Sequence, residues 1–318
     1  QNITYAAGTG GSGTGPTSPA TVRYDASFTT PANTFNRTGY TFAGWNDGSA
    51  VFAAGARYPA TGVVTAPVAL TATWTANSNT VTFKSNYTGG PSDITQSITT
   101  DVGTALTVNT FSRTGYTFAG WTQNSDGTGT NYTNSQNVTL TGALTLHAKW
   151  TANSNTVTFR SNITNGPANT TQSNTTDVET ALTANPFIRV GYTFAGWTQN
   201  ADGTGTSYTN SQLVILTEAL TLHAKWTANP QVITYAAGTG GTGAGPIAPA
   251  SVLYDEWFVT PVNTFARTGY SFAGWNDGTT LFSANSRYPA TGVVKAPVTL
   301  TATWTANPQA ITYAAGTG

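Results

Sequence analysis

Two stretches have the spacing of a phosphate cradle. Gly8-Thr9-Gly10-Gly11-Ser12-Gly13 and Gly238-Thr239-Gly240-Gly241-Thr242-Gly243 both read GxGxxG after a predicted strand, the pattern that seats a pyrophosphate on a helix N-terminus. The residues after each stretch exclude that chemistry. Pro16 and Pro19, or Pro246 and Pro249, interrupt any helix, and the strand-like TVRYDASF or SVLYDEWF comes next. A flexible hairpin loop is the expected form. His147 and His223 are the two histidines, at equivalent outward strand positions, whereas a zinc site needs three or four ligands brought together. Asp47, Asp126, Asp202 and Asp277 recur as paired catalytic carboxylates would, yet each stands directly before a glycine, where Asp serves a turn. The oxygen-rich NSDGTGT lacks the several acidic ligands of a calcium loop. Cysteine is absent, and a nucleophilic triad has no residues to build on. No catalytic residue, metal or cofactor is expected.

One charge pattern remains. Asp25 and Arg37, Asp101 and Arg113, Asp177 and Arg189, and Asp255 and Arg267 are each twelve residues apart, in a chain with only twelve charges of each sign. Four equivalent ion pairs would tie the start of a connecting segment to the entry of the next strand. If exposed, each contributes about 0–1 kcal/mol. The alternative is two independently solvated charges carried along by duplication.

The elements that position these residues are repeated. TGYTFAGW or a near variant ends at Trp45, Trp121, Trp197 and Trp275, and a second Trp follows 29 residues later, at Trp74, Trp150, Trp226 and Trp304. First strands open at Ile3, Val81, Val157 and Ile233, with a fifth opening at Ile311, so the spacings are 78, 76, 76 and 78. The outer copies (type A) open with ITYAAGTGG and close with LTATWTAN; the inner ones (type B) open with VTF and close with LTLHAKWTAN. The expected domains are residues 1–77, 78–153, 154–229 and 230–307, with 308–318 the first strand of a further repeat. In LTLHAKW, Leu144, Leu146, Ala148 and Trp150 share one face of a strand. In GYTFAGW, Tyr116 and Phe118 fall opposite Thr117, Ala119 and Trp121. Both parities carry aromatics, which reads as a central strand. The Thr71, Thr73 and Thr75 row recurs once per domain, too sparse for an ice-binding ladder.

Composition agrees. Thr is about a fifth of the 318 residues, which favours strands and turns over helices. A charged content of 8% gives no electrostatic footprint for nucleic acid or an anionic membrane. Methionine is absent, and no apolar run approaches the ~20 residues of a membrane span, so the sequence reads as an interior portion of a longer product.

The stretch Arg113 to Trp150, RTGYTFAGWTQNSDGTGTNYTNSQNVTLTGALTLHAKW, resembles the internalin-type B repeat, also called the Listeria/Bacteroides repeat. Its two motifs recur over all four units, so the likeness covers nearly the whole chain. It implies a small β-grasp fold, ubiquitin-like with a reduced helix, strung in tandem in secreted or surface proteins of bacteria as stalks and adhesive segments. The family offers no catalytic residues to carry over. The type A units depart from it in replacing HAKW by TATW and in carrying the glycine-rich stretch.

The fold expected is therefore mostly β, four tandem β-grasp-like repeats in an extended rod. Each next first strand opens seven positions after the second Trp, which brings neighbours into contact. The eight tryptophans are the expected structural core. In the second repeat, residues 78–153, Trp121 and Trp150 are joined by Tyr116, Phe118, Phe83 and Phe111, and Trp150→Ala is expected to cost ~3–5 kcal/mol. The orphan strand at Ile311 and Tyr313 is either a cut through a longer array or is donated to another copy, head to tail. The function expected is a structural stalk or filament segment of an extracellular, secreted or surface-displayed bacterial adhesin. Its partners are neighbouring repeats and further copies of itself, with no nucleic acid and no membrane insertion in this segment. The alternative is a module binding a surface glycan or a host or other-cell protein through Tyr58, Tyr288 or Trp257.

Overall fold

Threonine alternating with apolar residues, broken by clusters of Gly, Asn and Asp, makes short strands and tight turns. The computed structural model describes residues 1–314 and 316, and among them there are strands and turns but no helix. The reduced helix that the resemblance implies is thus absent from the described residues. In the second repeat residues 100–115, between strands Ile94–Thr99 and Tyr116–Thr122, are rich in Thr and have no helical apolar period. The chain divides into two units, Gln1–Asn153 and Ser154–Gly318, each holding two repeats with similar sheets.

In the second repeat the closing strand Leu144–Ala152 lies at the centre of a five-stranded sheet. The opening strand Ser78–Lys84 pairs with it in parallel, Leu144 opposite Val81 and His147 opposite Lys84, and Ile94–Thr99 flanks that strand. On the other side run Tyr116–Thr122, antiparallel, and the two-residue Asn131–Tyr132. The third repeat has the same order. A sheet must bury one face. Here the cover is the connecting segment and a small ribbon, Thr104–Ala105 with Asn137–Val138, and between cover and sheet lie Val81, Phe83, Ile98, Phe111, Trp121 and Leu146.

The parity reading of GYTFAGW needs correction. Phe118 faces Trp150 across the ladder but Gly120 faces Lys149, so one residue is extra and the strand bulges. The bulge inverts the alternation, and Phe118 and Trp121 come to the same side with ring centroids 4.9 Å apart. Aromatics of both parities therefore serve one core. Gly120 is required there: its φ is 120°, and a Cβ would stand 2.8 Å from the Tyr132 carbonyl oxygen.

In type A repeats the glycine-rich stretch follows the opening strand, and in repeat 1 the second strand shrinks to an isolated bridge, Asn2 with Thr21. In repeat 1 the glycine-rich stretch is pinned, since the Ser12 amide donates to Asn36 O at 2.8 Å and Trp74 Nε1 donates to Ala7 O at 2.9 Å. The expected loop is thus tied down along its length. Repeat 1 keeps four main strands, and repeat 4 regains a fifth at Ser251–Leu253. The expected strand at residues 308–318 is not formed over its described residues, where Ile311 and Tyr313 are 77% and 92% exposed. Its counterparts, Ile3–Ala6 and Pro230–Ala236, each pair with the closing strand of their own repeat. Ala315, Thr317 and Gly318 of that stretch lie outside the described residues.

Candidate functional site

The recurring polar residues meet where one repeat follows another. Asp25, Asp101, Asp177 and Asp255 all adopt left-handed backbone, φ 55°, 59°, 59° and 65°, which a short polar side chain tolerates. Their amides donate to Val64, Leu140, Leu216 and Val294 carbonyls at 2.9–3.2 Å, holding each turn to the body of its own repeat.

Asp25 with Arg37 and Asp255 with Arg267 form no ion pair, whereas Lys84 and Asp93 do, at 2.6 Å. The guanidinium groups lie instead over tyrosine rings three residues further along. Arg37, Arg113, Arg189 and Arg267 stand 3.5–3.6 Å from the centroids of Tyr40, Tyr116, Tyr192 and Tyr270. Two of the carboxylates, Asp101 and Asp255, are taken up by the preceding repeat. In the first unit Tyr40 Oη donates to Asp101 Oδ2 at 3.0 Å, and in the second Tyr192 Oη donates to Asp255 Oδ2 at 3.0 Å. The bond to Asp101 raises the Tyr40 hydroxyl above its usual range, partial desolvation adds to this, and Arg37 opposes it. For Tyr192 desolvation leads and the Asp255 bond follows.

Backbone bonds complete the junction. The Asn77 amide donates to Gly39 O and the Thr100 amide to Asn77 O, both at 2.9 Å. In the second unit Asn229 donates to Gly191 O at 2.8 Å and Tyr254 to Asn229 O at 2.9 Å. Thr41 and Thr193 hydroxyls donate to the Asn77 and Asn229 side chains. The glycine before each tyrosine admits the neighbour. A Cβ on Gly39 would stand 2.8 Å from Thr100 Cγ2, and one on Gly191 would overlap the ring of Tyr254, which packs edge-on against Tyr192 at 5.6 Å. Sequence reasoning missed Tyr40, Tyr192, Asn77 and Asn229. The usable signal was the constant RTGY or RVGY spacing together with a Tyr-to-Asp separation of 61 or 63 residues, which a search confined to one repeat does not reach.

The other candidates fall elsewhere. Trp45, Trp121, Trp197 and Trp275 are fully buried, whereas Trp74, Trp150, Trp226 and Trp304 are half-buried and cover the core from its edge. The latter four donate to Ala7, Ser85, Ser161 and Ala237 carbonyls at 2.8–2.9 Å. His147 and His223 each stand opposite a basic residue of the same sheet, Lys84 or Arg160. Desolvation, then Arg160, lowers the His223 pKa. No group of three metal-ligating side chains occurs among the described residues. Asp47, Asp126, Asp202 and Asp277 cap turns by accepting the amides of Ser49, Thr128, Thr204 and Thr279 at 2.8–2.9 Å. Tyr58 and Tyr288 are half-buried and donate to Asp47 and Asp277.

Fold and site together define a tandem-repeat, all-β protein whose distinctive chemistry lies between its modules. The chain belongs to the Listeria-Bacteroides repeat domain family, whose model matches residues 2–72, 80–149, 156–225 and 232–303. Two relatives come from Evansella cellulosilytica. One, named "Putative membrane protein", is 28% identical over 249 residues, covering 77% of this chain and 35% of its own length. The other, named "Putative Gly-rich membrane protein", is 28% identical over 298 residues, covering 89% and 32%. The chain thus spans about a third of the length of these relatives. No helix among the described residues is long and apolar enough to cross a membrane.

Proposed function

We propose that the chain is a structural segment, a tandem-repeat stalk in a secreted or surface-displayed bacterial adhesin, with β-grasp-like repeats and no catalytic role. The observation that carries this reading is the tyrosine-to-aspartate contact made between successive repeats in both units. A stalk needs modules held in fixed relation to their neighbours, and a stacked Arg–Tyr pair that reaches the next repeat supplies that. The central parallel pairing of opening and closing strands supports the β-grasp likeness. Strand donation by Ile311 and Tyr313 is disfavoured as a route to filaments, because Ile3–Ala6 already fills the matching place in repeat 1.

Gold-labelled antibody against the repeats tests the reading on intact cells that make the parent protein. Label should decorate the cell exterior, and removing residues 78–229 from that protein should bring a tag on its far side closer to the envelope. Inaccessible label, or an unchanged distance, overturns it. A second reading has one observation in its favour. Trp257 is 48% exposed, with the Arg287 guanidinium 5.3 Å from its ring, and an open indole suits a sugar face. Binding on a glycan array that disappears in Trp257→Ala would establish it.

A further inference from the structure

Repeats 2 and 3 share a cleft where the turn that leaves the opening strand meets the Asp126 or Asp202 turn. One side chain builds it in each copy. Asn86 and Asn162, left-handed at φ 60° and 54°, reach across: Asn86 Nδ2 donates to Ser125 O and Ala148 O, both at 3.0 Å, and Asn162 Nδ2 to Ala201 O at 2.9 Å and Ala224 O at 3.2 Å. Because opening and closing strands run parallel, two basic side chains stand beside each other in the cleft, Lys84 with His147 and Arg160 with His223. In repeat 2 the cleft supplies its own anion. Asp93, directly before the flanking strand Ile94–Thr99, lies 2.6 Å from Lys84 Nζ. Asn169 holds that place in repeat 3, so an uncharged amide stands where the carboxylate was. Among the described residues Arg160 has no acidic partner.

We propose that the cleft of repeat 3 binds an acidic sugar, a uronic acid, whose carboxylate meets Arg160 as the Asp93 carboxylate meets Lys84 in repeat 2. The internal comparison identifies the ligand's charged group, since the same cleft in the other copy is already satisfied by a carboxylate. Arginine suits that role: its planar fork faces two oxygens at once and keeps its charge. The rest of the lining suits ring hydroxyls. Thr164 and Asn169 offer a hydroxyl and an amide that form no hydrogen bond with the protein among the described residues. At about 370 Å³ the cleft is within the size range of small-ligand sites, and its lining is mostly polar, as a sugar requires. The inference rests on the difference between the two type B repeats and not on the stalk reading.

NMR of the full chain, followed at the Arg160 side chain and His223 during titration with sodium galacturonate, tests this. A saturable shift with a Kd on the order of 1–10 mM is expected, as for one exposed charge pair with a few polar contacts. Galactose and acetate each bring half of the ligand and should bind at least about fivefold more weakly, with inorganic phosphate no better than acetate. Arg160→Gln should weaken galacturonate at least about fivefold. Asn169→Asp should do the same by engaging Arg160 from within, and it places in repeat 3 the residue that repeat 2 already folds with. Asp93→Asn is the converse variant: Lys84 and His147 should then respond to galacturonate, as they do not in the parent chain. No saturable shift up to ~50 mM, binding untouched by Asn169→Asp, or acetate or phosphate matching galacturonate would each overturn the proposal. These readouts are silent on where the parent protein is displayed, so the stalk reading stands or falls separately.

Discussion

At the scale of single residues, the two repeat types treat the same indole differently. Trp45 Nε1 donates to Pro31 O at 2.9 Å and Trp275 Nε1 to Pro261 O at 2.8 Å, while the buried Nε1 of Trp121 and of Trp197 has no protein acceptor. A buried donor without a partner costs ~1–3 kcal/mol, so deleting it returns part of what the smaller ring loses. Trp121→Phe should therefore destabilise the first unit by about 1 kcal/mol less than Trp45→Phe, read from urea midpoints of the full chain. Equal losses would refute this. That these tryptophans are core was legible from their spacing. Whether each N–H is satisfied was not, because the acceptor lies fourteen residues back in irregular chain. The Asp25–Arg37 and Asp255–Arg267 ion pairs do not form, for a related reason: a spacing of twelve identifies two recurring charges but not the tyrosine ring that captures one of them.

At the scale of elements, the strands and their paired motifs were legible because threonine alternates with apolar residues over most of their length. The bulge was not, since T-F-A-G satisfies an alternating pattern right up to the residue where the pattern inverts. Its physical mark is the glycine before the tryptophan. Gly120→Ala places a side chain at φ 120° and 2.8 Å from the Tyr132 carbonyl, combining backbone strain with a steric clash. The expected cost is about 2 kcal/mol or more. A urea midpoint within error of the parent would show that the strand can straighten. The glycine-rich stretch obeys similar logic: a Cβ at Gly8 would overlap the Ala72 carbonyl, so close backbone approach explains a glycine whose spacing first suggested phosphate.

At the scale of the whole molecule, two equivalent glycines separate strain from contact. Gly191 and Gly269 share a φ of 78°, but only Gly191 has a tyrosine ring where its side chain would be. Alanine at either site meets the same backbone penalty, so the excess loss in Gly191→Ala measures the junction, an expected ~1–3 kcal/mol in the second unit. Equal effects would mean that the repeats there are uncoupled. The parallel arrangement at the heart of each sheet has a mechanical corollary. In the second repeat the chain enters at Ser78 and leaves at Ala152, at opposite ends of two neighbouring strands that run the same way. Tension along the polypeptide slides those strands past each other, so the bonds between them share the load and must yield together, with no end from which they can be peeled one at a time.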